Sequence, residues 1–195
     1  MSSDRAGSSS ILAGIVLLVG LLGAVALSWW LPEQAKKRRQ TNEAHARNCL
    51  HVLSTAESDF RANDRDQNGV QDFWTGDVAG LYRFGLIPRG LAEADTAPLV
   101  PLVPQPVPYR GYFFRALEVD EEDQEVYRQV TDKASGNVHH VAKFGFVAYP
   151  AESPKTGRYL WIINENCTSF RHATSGPAPK NWPADSVLRT YSKVD

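Results

Sequence analysis

Residues Ile11 to Leu31 read ILAGIVLLVGLLGAVALSWWL, with no charge, Asn, Gln or His. About 20 apolar residues in a helix match the hydrocarbon core of a bilayer. This run therefore constrains the chain more than any other feature. It predicts a tail over 1–10, a transmembrane helix over 11–31 and a soluble domain over 33–195. Trp29 and Trp30 stand at the far end, where indole rings favour the headgroup level. A buried core helix of this length would carry a polar face. A secretory signal has a shorter apolar stretch and a stronger basic start, whereas here Arg5 is offset by Asp4. Cleavage after Ala24 or Ala26 stays open as the rival. Gly20, Ala24 and Ser28 fall at i, i+4 and i+8, a spacing that lets helices approach closely in lipid but is also common in such helices. The expected partners are thus the lipid bilayer through 11–31, then other proteins or a second copy.

Orientation is contested within the sequence. Lys36, Lys37, Arg38 and Arg39 follow the run, and basic residues beside a membrane helix favour the cytoplasmic side. Two cysteines, Cys49 and Cys167, would pair only outside it. The remaining composition excludes other classes. Lys plus Arg total 21 against 22 Asp plus Glu, so there is no basic footprint for nucleic acid. A mean hydropathy of -0.34 excludes a multi-span transporter, and 43% hydrophobic residues exclude a largely disordered chain.

The soluble part reads as α+β. From Glu33 to about Arg61 the pattern is helical. Cys49, Leu53, Ala56 and Phe60 form an apolar stripe with 4, 3 and 4 spacing, and Glu43, Arg47, His51, Glu57 and Asp59 lie mostly off it. A polar loop covers Asn63 to Asp72, and a short segment runs from Val78 to Ile87. Five prolines between Pro98 and Pro108 predict an extended crossing segment. Aromatic and β-branched runs then predict antiparallel strands over 111–119, 125–131, 143–150, 158–164 and 168–173. The tail KNWPADSVLRTYSKVD predicts one short helix, with Pro183 near its start.

The order of one hydrophobic helix, an amphipathic helix, a loop and an antiparallel sheet resembles type IV pilins and type II secretion pseudopilins. A nearer resemblance is to the pilin-like proteins of planctomycete-type bacteria. It rests on NEAHARNCLHVLSTAESDF (42–60), the D-x-D-x-N-G loop, GYFFRALE (111–118), FVAYPAESPKTGRYLWIINENCTSF (146–170) and NWPADSVLRTYSKVD (181–195). The resemblance implies a pilin-like domain on a single-pass anchor in the bacterial inner membrane, displayed on the extracytoplasmic side. Its implied role is structural or partner-binding and non-enzymatic. Rival readings are a working pseudopilin and an enzyme with an unrecognised site. Pilins carry a glutamate early in the apolar helix, and no carboxylate lies between Ile11 and Leu31 here.

One loop carries metal chemistry. Asp64, Asp66, Asn68, Gly69, Val70 and Asp72 match positions 1, 3, 5, 6, 7 and 9 of an EF-hand-type loop. A hard cation wants several oxygens, here from Asp64, Asp66, Asn68, Asp72 and the Val70 carbonyl. Calcium is the expected cofactor. Position 12 is Thr75 instead of the bidentate Glu, and an Asx-held turn without metal is the alternative. His139 and His140 read as surface residues, and the acidic run from Glu118 to Glu125 as a solvated hairpin tip. No G-x-S-x-G, H-E-x-x-H, P-loop or G-x-G-x-x-G occurs. Cys49 and Cys167 read either as a structural disulfide linking helix to sheet or as two buried, unpaired thiols. A bridge would restrict the unfolded chain by about 4–5 kcal/mol in the chain-entropy account.

Overall fold

A computed structural model describes residues 5–99, 103–127, 140–173 and 176–194, with side chains from residue 28 onward. It divides into two compact units, Met1–Arg38 and Arg39–Asp195. Helix α1, Arg5–Ala62, contributes to both. Most of the expected transmembrane run, 11–27, lies outside the residues whose side chains are described. Among the described residues no helix is long and apolar enough to cross a membrane.

The second unit is α+β. Its sheet is a five-stranded antiparallel meander in the order β1 (Tyr112–Ala116), β2 (Gly145–Pro150), β3 (Tyr159–Asn164), β4 (Ser169–Ala173) and β5 (Ser192–Val194). Successive side chains in a strand face opposite sides, and here both sides are covered. Tyr112, Phe114, Ala116, Phe146, Ala148, Trp161 and Ile163 join Ala46, Leu50, Leu53 and Ala56 of α1 in the main core. Their neighbours Val147, Leu160 and Ile162 turn the other way, to Leu117, Tyr127 and Trp182. This two-sided burial explains why β2 and β3 read as continuous apolar runs.

The α1 stripe packs as expected: Leu53, Ala56 and Phe60 are buried, as are Ala46 and Leu50. Polar contacts fix the register. The Asn42 amide donates to the Thr156 carbonyl at 3.0 Å, and Arg158 N–H to the Glu43 carboxylate at 2.8 Å. Both acceptors or donors on the sheet side belong to the β2–β3 turn. There Gly157 allows close approach, since a Cβ on it would stand 2.0 Å from the Tyr112 hydroxyl.

Several elements differ from the sequence expectation. Helix α2 (Val78–Arg83) is followed by a separate helix, α3 (Arg89–Ala92). Leu91 and Ala92 bury α3 against the same core. The tail supplies helix α4 (Asp185–Leu188) and then β5, whose Ser192–Val194 pairs with β4. A three-residue edge strand is too short for its alternation to be read. Of the expected strand 125–131, residues 128–131 lie outside the described residues. Val126 bridges Val119 across the acidic turn instead of extending a named strand.

Candidate functional site

The Asp-rich loop leaves the end of α1 through two residues with positive φ, Asp64 (44°) and Gln67 (58°), and turns at Gly69 (80°). That backbone region is the one glycine enters without steric cost. The carboxylate of Asp64 accepts the Asn68 N–H at 3.1 Å and the Gly69 N–H at 3.0 Å. The Asn68 side-chain amide donates to Asp66 at 2.9 Å and to Asp72 at 3.4 Å. Its carbonyl oxygen accepts the Val70 N–H at 2.7 Å. The expected residues therefore do gather, with Asp66 and Asp72 sharing the Asn68 amide. The Val70 carbonyl accepts the Asp72 N–H at 3.1 Å. Burial, then the neighbouring Asp72 charge, push the Asp66 carboxyl up to about 6. Among the described residues no group of three or more His, Cys, Asp or Glu is arranged to hold a metal ion. Thr75, at position 12, is buried and donates its hydroxyl to the Tyr127 carbonyl at 2.5 Å.

Behind the loop lies a line of buried carboxylates that hold backbone. Glu57 is fully buried, and its Oε2 accepts the Trp74 N–H at 2.7 Å. Its Oε1 has no hydrogen-bond partner among the described residues. Burial raises this carboxyl well above the ordinary range, and the Asp72 charge adds to the effect. Asp77 accepts the Gly80 N–H at 2.8 Å as the N-cap of α2, the Trp74 indole N–H at 3.1 Å and the Leu99 N–H at 2.5 Å. Asp95 accepts Ala79 N–H and Ala97 N–H, both at 2.9 Å, and burial pushes it up to about 6.

Glu57 corrects the sequence reading, which placed it off the apolar stripe. Leu50, Leu53, Glu57 and Phe60 in fact step by 3, 4 and 3 along one face, so the spacing carried the signal and the charge obscured it. His140 corrects the surface assignment. It is buried, and its Nδ1 accepts the Ala142 and Lys143 N–H groups at 3.1 and 2.7 Å. The proton must then sit on Nε2, which donates to Glu125 at 3.0 Å. His139 lies outside the described residues. The acidic turn is not simply solvated. The Lys143 ammonium stands 3.3 Å from Asp120, 2.5 Å from Asp123 and 2.8 Å from Glu125.

In the structure Cys49 and Cys167 are both free thiols, the first half-buried and the second exposed. Cys167 lies 2.9 Å from the Ser54 hydroxyl, five residues along α1 from Cys49. Five residues of helix rise about 7.5 Å, which separates the sulfurs along the axis. Burial pushes the Cys49 thiol up to about 11, with the nearby Arg110 charge opposing it.

The fold and this loop define an α+β domain built on a long N-terminal helix, with buried carboxylates bracing its connecting segments. Residues 31–177 match the family described as "Protein of unknown function (DUF2950)", and the chain belongs to that family. No curated protein and no solved structure matches it.

Proposed function

We propose that the protein is a non-enzymatic, single-pass envelope protein whose pilin-like domain serves a structural or partner-binding role. Its anchor is 11–31, in the bacterial inner membrane, and its domain faces the extracytoplasmic side. The observation that carries this reading is α1. Its sequence carries the uncharged run 11–31, of membrane-spanning length, and ends as the core helix of the α+β unit. The buried ionisable groups support the non-enzymatic reading. Glu57, Asp77, Asp95 and His140 each hold backbone N–H groups. We also propose calcium as the ligand of the Asp64–Asp72 loop, on the strength of its residue pattern.

The test is a reporter that requires the periplasm, fused after Asp195 and paired with membrane fractionation. Activity together with recovery in the membrane fraction is expected. A reporter active only in the cytoplasm overturns the orientation, and recovery in the soluble fraction overturns the anchor. Mass spectrometry of the native N-terminus separates a working pseudopilin, which would be trimmed and methylated near Ser10 or Ile11.

A further inference from the structure

The geometry points to an anionic-phospholipid collar formed by Trp29, Trp30, Lys36, Lys37 and Arg38, an inference that rests on the membrane reading above. All five lie on α1 within the first unit. Trp29 and Trp30 are 77% and 57% exposed, and Leu31 is 55% exposed. Lys36, Lys37 and Arg38 are exposed as well. Three cations face one carboxylate: Lys36 stands 3.9 Å from Glu33, both well exposed. An exposed pair of that kind contributes little. Lys37 and Arg38 form no ion pair among the described residues. Arg39 is placed differently, since it belongs to the second unit and donates to the Pro154 carbonyl at 3.4 Å.

Helical geometry makes these residues one surface. Lys36, Lys37 and Arg38 follow Trp30 by six to eight residues, about 9–12 Å along the axis, and spread over about 200° of the circumference. Helical side chains lean toward the N-terminus, here toward the apolar run. Long cationic side chains reach back along apolar surface while their charges stay in water. With the indoles at headgroup level, the three charges sit at the depth of the phosphates, within a Debye length of them. Anionic headgroups complement that charge, whereas zwitterionic ones leave it largely uncompensated. The cluster thus has a role on either face of the membrane, independent of topology.

The test uses the full chain reconstituted in phosphatidylcholine bilayers. Either brominated phosphatidylglycerol or brominated phosphatidylcholine is then added, and tryptophan quenching is read. Trp74, Trp161 and Trp182 lie in the second unit, the first half-buried and the other two buried, and give a constant background. The W29F/W30F variant identifies the quenchable part. Wild type should be half-quenched at about fivefold less brominated phosphatidylglycerol than brominated phosphatidylcholine, the effect of roughly one surface charge. K36Q/K37Q/R38Q, or about 0.5 M salt, should remove the difference. Equal quenching by both lipids in wild type overturns the collar while leaving the anchor intact. Quenching by neither overturns the collar and the anchor together. A preference that survives the triple substitution overturns the assignment to these residues.

Discussion

The backbone N–H of Trp74 donates to the fully buried carboxyl of Glu57 at 2.7 Å, tying the Asp-rich loop's exit to the core face of α1. Burial holds this carboxyl well above its ordinary range, which favours its neutral form. A neutral amide of the same shape should then be tolerated. Glu57→Gln is expected to change stability by less than about 1 kcal/mol. Glu57→Ala leaves the Trp74 N–H unpaired beside a cavity and should cost about 2–4 kcal/mol. Denaturant unfolding of both variants checks this. Equal costs would mean that the carboxyl is not the brace.

Much of the fold was legible because its signals are local and periodic. Leu53, Ala56 and Phe60 repeat at helical spacing, and Trp161 through Ile163 cannot avoid reading as strand. The misses have physical causes. Glu57 was hidden because a charge is not expected on an apolar stripe, and the burial that raises its carboxyl is a tertiary effect. His140 was read as exposed because its two N–H partners come from a turn that sequence does not define. β5 is three residues long and stabilised by pairing with Ser169–Arg171, a contact across more than twenty residues of chain. Of the site, the loop residues were legible from their spacing. Asp77 and Asp95 behind them were not, since no motif marks a carboxylate that caps backbone.

Gly157 gives a steric prediction. A Cβ there meets the Tyr112 hydroxyl, whose side chain is fully buried and donates to the Tyr159 carbonyl at 2.9 Å. Gly157→Ala must displace one of the largest core side chains or open the β2–β3 turn that contacts α1. A loss of about 2–3 kcal/mol is expected. Combining it with Tyr112→Leu, which removes the hydroxyl together with the ring atoms Cζ and Cε2 that would stand 2.6 and 2.8 Å from that Cβ, should recover part of the loss. If the double variant is no better than the sum of the two, the clash is not with that side chain.

The cysteines should differ in reactivity. Cys167 is exposed, whereas Cys49 is half-buried with its thiol pushed up to about 11. The thiolate is the reactive form. Thiol titration of the native protein near pH 8 should therefore show one fast group, with the second appearing only on unfolding. Cys167→Ser should abolish the fast phase. No reactive thiol before reduction would show a bridge and overturn the free-thiol arrangement.

Asp95 sets part of the pH dependence. Its folded carboxyl titrates at about 6 against an ordinary value of 3.8. A group raised in this way binds more protons folded than unfolded between those values, so stability falls as pH rises through that window. The contribution is on the order of 2–3 kcal/mol. Asp66 acts in the same direction. The exposed carboxyls of Asp123 and Glu125, lowered by hydrogen bonds from Lys143, lose their favourable partner only at still lower pH. Melting temperature should thus rise from pH 7 to about pH 5 and fall below about pH 4. Asp95→Asn should be less stable throughout, because one backbone N–H loses its acceptor, and should flatten the upper slope. An unchanged slope would remove Asp95 as its source.

The calcium proposal makes the most demanding prediction. In the structure the Asn68 amide hydrogens face Asp66 and Asp72, while its carbonyl oxygen is engaged by the Val70 N–H. A divalent cation wants oxygens, so Asn68 must turn its carbonyl inward and release Val70. The cation would then replace a weak amide partner among three carboxylates, Asp64, Asp66 and Asp72. Part of the binding energy goes into that rearrangement and into removing the proton that Asp66 holds below about pH 6. The site should therefore be weak, in the range of about 0.1–1 mM typical of low-affinity calcium modules. At about 10 mM calcium, binding to the folded state alone stabilises by about 1.4–2.7 kcal/mol. For a unit of this size the melting temperature should rise by about 3–10 °C. The rise should be larger at pH 7 than at pH 5, and absent in Asp66→Ala. Asn68→Asp should strengthen binding, since it supplies an oxygen without the amide turning. A calcium response identical in wild type and Asp66→Ala, or none in either, leaves the loop as a turn held by Asn68.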